Sequence, residues 1–139
     1  MLRDQFASVL KEFGSLVMED LTLNDDGITT FTVDNDIVVN LQYLNDSDTV
    51  LIFSPVGAFG ELNAADSGEK ALALLKLNDL SGPSCEVTLM LDGEGELVLA
   101  ADRRSAGTIS STDALAAWVE LLVRSVRSTR EYFSEHFPL

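Results

Sequence analysis

The stretch from Glu69 to Leu80, EKALALLKLNDL, constrains this chain more than any other. Four leucines and two alanines fall within Ala71 to Leu77, so a helix here has hardly any polar face. A helix that is apolar nearly all round is ordinarily buried on all sides. The chain has 139 residues, a length that suits a single domain with one core of a sheet and two or three helices. Whether one such core can bury this helix alone is the first question the sequence raises.

The core itself is expected to form, because 46% hydrophobic and 23% charged residues is a globular composition, far from the polar signature of disorder. The charge is less ordinary. Nine Lys and Arg against 23 Asp and Glu give a net charge of -14, a field that repels nucleic-acid backbones and anionic membranes and so argues against both as partners. No Lys or Arg occurs between Lys11 and Lys70, while Glu12, Glu19, Asp20, Asp25, Asp26, Asp34, Asp36, Asp46, Asp48, Glu61, Asp66 and Glu69 all do. Two readings stand: a solvated acidic surface that maintains solubility, or a field that attracts a basic partner.

Cys85 is alone, so no internal disulfide forms and nothing suggests a secreted, stapled scaffold. The opening MLRDQFASVLKEFG is charged and amphipathic, unlike a signal peptide or anchor. No apolar run approaches the roughly 18 residues needed to span a bilayer. The expectation is a cytoplasmic chain without membrane insertion.

Hydrophobic periodicity orders the elements. Leu2, Phe6, Val9, Leu10, Phe13, Leu16 and Val17 recur at helical spacing, and the helix is expected to stop before TLNDDG. ITTFTVD then alternates, with Phe31 and Val33 on one face and Ile28, Thr30 and Thr32 on the other; IVVNLQYL sets Ile37, Val39, Leu41 and Tyr43 together. Asp34, Asn35 and Asp36 turn between them, and TVLIFSPV supplies a third strand to complete an antiparallel meander. The apolar helix follows from about Gly68 to Leu77, with Asp66 or Ser67 as its cap and Gly82 and Pro83 beyond its end. In CEVTLMLDGEGELVLAAD, Val87, Leu89 and Leu91 alternate, DGEG turns, and Leu97, Leu99 and Ala101 alternate again. After a flexible DRRSAGTIS, Ser110 and Asp113 make an approximate capping box. A long helix begins there, with Leu115, Trp118, Val119, Leu122, Val126 and Phe133 on one stripe, and runs to near Pro138. The fold class is therefore α+β in the order α-β-β-β-α-β-β-α, a twisted antiparallel sheet covered by helices.

Chemistry is sparse. His136, the sole histidine, sits near the C-terminal end and Cys85 has no nucleophile signature, which argues against a catalytic triad; structural zinc lacks its ligands. NDDG, DND, NDSD and DGEGE read as turns, since none has the spacing of a calcium loop. SPVGAFG has no phosphate-binding pattern. No catalytic residue, metal or cofactor is expected. Arg103 and Arg104 read as solvated loop charge, and Phe6 and Phe13 either as core or as the border of a groove for a partner segment.

The whole pattern resembles the dimeric, effector-specific (class I) chaperones of bacterial type III secretion, the broad family of the Tir chaperone. ITTFTVDNDIVVNLQYL, the LALLKLN helix with its Leu-Leu followed shortly by Asn, and LMLDGEGELVLAAD carry the likeness. The resemblance implies a single secretion-chaperone-like domain over residues 1–139, and a cytoplasmic bacterial homodimer that binds the N-terminal region of a secreted effector and keeps it export-competent. In that family the guest pairs at sheet edges and fills apolar grooves. The resemblance places effector binding at Phe6, Leu10, Phe13, Ile28 and Thr30, and the dimer interface at Leu72, Leu74, Leu75, Leu77 and Leu89. A second copy would then cover the outer face of the leucine helix. Two alternatives remain: an adaptor of the same fold with another protein partner, and a small-ligand enzyme, which would need a carboxylate buried in an apolar pocket.

Overall fold

The structure is a computed structural model that describes residues 3–78 and 87–137. Leu2, Gly82, Pro83, Cys85 and Pro138 of the preceding reading lie outside the described residues. Helix α1 spans Arg3–Leu16, β1 Ile28–Val33, β2 Ile37–Leu44 and β3 Thr49–Ala58. Next come α2 at Ser67–Leu77, β4 at Thr88–Leu91, β5 at Leu97–Ser105, a short 3-10 helix at Ala106–Ile109, and α3 at Thr112–His136. The strands form one five-stranded sheet in the order β1-β2-β3-β5-β4, which leaves β1 and β4 as its edges. This is the α+β order expected. The chain divides into two compact units, Met1–Phe53 with Asp102–Glu120, and Ser54–Ala101 with Leu121–Leu139.

In the first unit, Phe6, Leu10 and Phe13 of α1 are buried together with Phe31, Ile37, Val39 and Leu41 of the β1–β2 hairpin. Each such side chain contributes roughly 1.5–3 kcal/mol by leaving water. Phe6 stacks on Tyr43 with ring centres 5.9 Å apart, and Phe13 tilts against Phe31 at 5.6 Å. The hairpin closes with Val33 opposite Ile37, and Asp34 and Asn35 take the left-handed backbone expected of these residue types.

Helix α1 ends differently from its apolar pattern. The Glu19 amide donates to the Gly14 carbonyl at 2.9 Å, the long bond of a Schellman ending, with Met18 in the left-handed position that glycine usually takes. Leu16, Val17 and Met18 are consequently turned out, with Met18 95% exposed. Gly14 is needed because a Cβ there would lie 2.6 Å from the Glu19 carbonyl oxygen.

DRRSAGTIS is not a flexible loop. Strand β5 runs on through Ser105, and Ala106 and Ile109 of the 3-10 helix are buried. Asp102 orders the segment by accepting from Trp118 Nε1 at 2.8 Å and pairing with Arg104 Nε at 3.3 Å, while the Arg104 guanidinium stacks 5.3 Å above the Trp118 ring. Arg104 is therefore a packed strand residue. Helix α3 is capped by Ser111, not Ser110: the Ala114 amide donates to Ser111 Oγ at 3.1 Å.

In the second unit, Ala73, Leu74 and Leu77 of α2 are buried along with Leu89 of β4, Val98 and Ala100 of β5, and Leu122 and Val126 of α3. Neither expected cap of α2 serves it. Asp66 makes no side-chain cap bond and pairs with Lys70 at 3.4 Å, and Ser67 Oγ donates back to the Ala64 carbonyl. The β4–β5 hairpin forms around Asp92, whose Oδ1 accepts from the amides of Glu96 and Leu97. Leu89 faces Ala100 and Leu91 faces Val98, so Val98 and Ala100 supply the buried face of β5. Leu97, Leu99 and Ala101 take the other face, contrary to the alternation expected from their larger side chains.

Candidate functional site

Strand pairing determines which backbone groups remain open on β1. The Tyr43 amide donates to the Gly27 carbonyl at 2.8 Å, and the register continues through Thr29 with Leu41 and Phe31 with Val39. Because hydrogen-bonding direction alternates along an antiparallel strand, odd-numbered β1 residues face β2 and even-numbered ones face outward. Ile28 is already satisfied. Its amide donates to Asn24 Oδ1 and its carbonyl accepts from the Asn24 amide, both at 2.9 Å. Asn24 is held in turn by Arg3, which donates to its carbonyl at 2.7 Å. Among the described residues no group pairs with the outward amides and carbonyls of Thr30 and Thr32. These are an open template for another strand.

The side chains around that edge have distinct roles. Thr30 is exposed and its hydroxyl donates to Asn40 Oδ1 at 2.7 Å, whereas Ile28 is half-buried. Phe6 and Leu10 are fully buried and Phe13 almost so. In the isolated chain they are core, the first of the two readings their spacing allowed. The fold thus gathers all five expected effector-binding residues into the first unit, with Thr30 at the surface and the three α1 side chains beneath it. Tyr43, under Phe6, donates to Asp48. That bond, burial and the Asp48 charge together push its phenol up to about 12.

The other edge is closed at its middle. On β4 the Asp92 amide pairs with the Leu97 carbonyl, so Leu89 and Leu91 face outward. The Asn78 side chain, just past the end of α2, meets both groups of Leu89: its Nδ2 donates to the Leu89 carbonyl at 2.8 Å and its Oδ1 accepts the Leu89 amide at 2.7 Å. A single amide side chain here stands in for a neighbouring strand. Asn78 protects a short edge that would otherwise template aggregation.

Of the five residues expected at a dimer interface, Leu74, Leu77 and Leu89 are buried within the second unit, while Leu72 is 52% and Leu75 71% exposed. The helix that is apolar all round is therefore covered along one side only. Met90 and Leu97 of the β4–β5 hairpin are also exposed. Lone apolar surface residues need no explanation, but two leucines one turn apart on one helix form a patch that does.

Among the described residues no Asp or Glu is buried, and no group of three or more His, Cys, Asp or Glu could hold a metal ion. The enzyme alternative needed a carboxylate buried in an apolar pocket, and the described residues present none. No helix among the described residues is long and apolar enough to cross a membrane.

Sequence reasoning did not reach Thr32, Asn24 or Asn78 as edge residues. The signal for Asn24 was the NDDG turn, which fixes the backbone just before β1. That for Asn78 was an asparagine directly after the leucine helix, legible only once β4 is known to pass beside it.

Comparison with known proteins places this geometry. The model of the Tir chaperone protein (CesT) family matches residues 8–130. No curated protein matches the chain in sequence. Among solved structures, a chain of the HopA1–SchA chaperone–effector complex superposes with a TM-score of 0.74 at 21% identity, covering 93% of this chain and 95% of that one. A chain of the ExsC–ExsE complex gives 0.75 at 15% identity, with 94% of each chain covered. The Yersinia pestis type III secretion chaperone SycH, in complex with a fragment of YscM2, gives 0.65 at 22% identity over 88% of this chain and 98% of the other. At these identities the structural likeness speaks for the fold.

Proposed function

This chain belongs to the Tir chaperone protein (CesT) family, a family of chaperones and not of enzymes, and from that premise we propose that it is a cytosolic bacterial chaperone for a type III secreted effector. The whole chain acts as one domain and works as a homodimer. It binds the N-terminal region of its effector in extended form and keeps it soluble and competent for export.

The open β1 edge carries this reading: Thr30 and Thr32 present outward amides and carbonyls at an exposed strand, which is what strand addition by an extended guest requires. Ile28 and Thr30 meet the guest directly, and Phe6, Leu10 and Phe13 hold the floor under them. The HopA1–SchA chaperone–effector complex, of similar fold, supports it. The dimer rests on the exposed Leu72 and Leu75, which a second copy would cover, while Leu74, Leu77 and Leu89 hold α2 against its own sheet.

Co-expression tests the function. The protein is produced with a secreted protein encoded beside it, and the complex is purified and trimmed by limited proteolysis. The expected result is a soluble complex that protects a segment within the effector's first hundred or so residues. If that protein stays insoluble or purifies separately, while another cytosolic protein co-purifies through the same edge, the chain is an adaptor with a different partner.

A further inference from the structure

The burial of helix α1 stops before its apolar run does. Leu16, Val17 and Met18 are three successive large apolar residues at the surface, 68%, 41% and 95% exposed, and a soluble chain seldom carries such a run without a use for it. The run is held firmly: the Val17 amide donates to the Phe13 and Gly14 carbonyls and the Glu19 amide to the Gly14 carbonyl, and Leu21 is buried shortly after it. Met18 has φ 60°, a backbone that glycine adopts without strain and methionine does not. Backbone strain of this kind gathers at binding sites, and methionine is the apolar residue that adapts best to varied partners.

Contacts within the first unit place this patch. Phe6 stacks on Tyr43, whose amide meets the Gly27 carbonyl just ahead of β1, and Phe13 lies against Phe31 inside β1. Helix α1 therefore runs in the same direction as β1. The turn after Phe13 carries Leu16 to Met18 past Phe31, towards the Val33 end of the strand. Its surroundings are acidic. Glu12, Glu19 and Asp20 are exposed, and among the described residues no ion pair holds any of them; Glu12 accepts from the Thr112 hydroxyl at 2.9 Å. Lys11 is the only Lys or Arg between Arg3 and Lys70 in the sequence.

We propose that Leu16, Val17 and Met18 receive an apolar side chain of the effector followed by Lys or Arg, in the stretch of guest that continues beyond the strand added at β1. The apolar side chain covers Leu16 and Met18, and the basic residues answer Glu19 and Asp20, a pairing that fixes direction and register more than affinity. The inference rests on the chaperone reading and on strand addition at β1. It gives that open main chain, which accepts any extended sequence, a side-chain preference at one end.

The test uses the full chain with isotope-labelled methionine methyls; the chain has three methionines, so Met18 gives a resonance of its own. Three synthetic peptides share the strand Val-Thr-Val-Thr and end in Leu-Lys-Lys, Leu-Glu-Glu or Ser-Lys-Lys. The Leu-Lys-Lys peptide should shift the Met18 methyl to saturation, and each of the other two should bind about tenfold more weakly. Met18→Gly should raise the melting temperature and yet weaken binding of the Leu-Lys-Lys peptide about fivefold, a division that a purely structural role would not produce. Leu16→Ser should weaken it by a similar factor with melting unchanged. Equal affinity of the three peptides, an unmoved Met18 methyl at saturation, or Met18→Gly binding as tightly as the native chain would each overturn the proposal. So would a drop in mass by light scattering in Met18→Gly, which would make the occupant a second copy. Should the co-expressed effector bind Leu16→Ser and Met18→Gly at full affinity, the patch assignment fails while the chaperone assignment stands; should it bind neither these nor the native chain, the chaperone assignment fails and the patch assignment with it.

Discussion

Among the described residues the first unit buries the aromatic side chains of Phe6, Phe13, Phe31, Tyr43 and Trp118 and the second that of Phe59, in an otherwise aliphatic core, and the two leave opposite kinds of surface unfinished. In the first, every apolar strand position facing α1 is filled, and what remains open at the edge is main chain: the outward groups of Thr30 and Thr32. In the second, the edge main chain is pinned by Asn78 at Leu89, and what remains open is side chain, the exposed Leu72 and Leu75. Backbone groups offer hydrogen bonds to any extended sequence, whereas an apolar helix face rewards one complementary shape. The first surface suits a guest of variable sequence and the second an invariant partner such as an identical chain.

The largest effect should come from charging the two sides of α2 separately. Leu74→Asp places a carboxylate in the core of the second unit and should lower unfolding stability by about 3–5 kcal/mol in urea titrations. Leu75→Asp puts the same charge on the exposed side. It should reduce the mass found by light scattering from about twice the 15.1 kDa of the chain to the single-chain value, while each chain keeps its far-ultraviolet circular dichroism. If Leu75→Asp retains the double mass, the leucine face is not the interface and the contrast between the units collapses.

Next in size is Thr32→Pro. The Thr32 amide points away from β2, so proline there removes no ladder bond and is tolerated as on other edge strands. It should weaken effector binding by more than about tenfold, as measured by calorimetry, with little change in melting; unchanged affinity would move the guest off β1. Smaller still is Met18→Gly, which relieves a left-handed methionine and should stabilise the protein by about 1 kcal/mol. A stability loss would mean that the exposed Met18 side chain is held by contacts that matter. The last test concerns alkaline pH and Tyr43. Its folded phenol titrates near 12 against an ordinary value near 10, so the folded state keeps a proton that the unfolded state releases. That contribution is complete below about pH 10 and is lost as pH rises through 12. Tyr43→Phe should flatten the stability profile across that window.

Elements with one apolar face and clear turn residues were legible from sequence: α1 to Phe13, the β1–β2 hairpin with its Asp34–Asn35 turn, and the DGEG hairpin. Legibility failed where both faces of a segment are apolar. In LVLAA the larger Leu97 and Leu99 attract attention, but the register set by Asp92 sends Val98 and Ala100 inward. It failed again at DRRSAGTIS, where arginines, serines and a glycine look like a loop. There the order comes from Asp102, whose partners Trp118 and Arg104 cannot be paired with it by spacing. The site was legible by neighbourhood and less so by side chain. Phe6, Leu10 and Phe13 do share the first unit with Ile28 and Thr30, but one-dimensional periodicity gives an apolar stripe and not its depth.

If a guest adds to β1 as proposed, Asn24 also bears on how that guest is let go. Since it occupies Ile28, an added strand finds only two outward residues on β1, and so about four hydrogen bonds, each worth roughly 0.5–1.5 kcal/mol net. Retention must then come from several weak holds acting together, each raising the local concentration of the next. Such a tether is slow to escape as a whole and easy to peel from one end. A machine pulling on the free end would meet a small force at each step and no single large barrier.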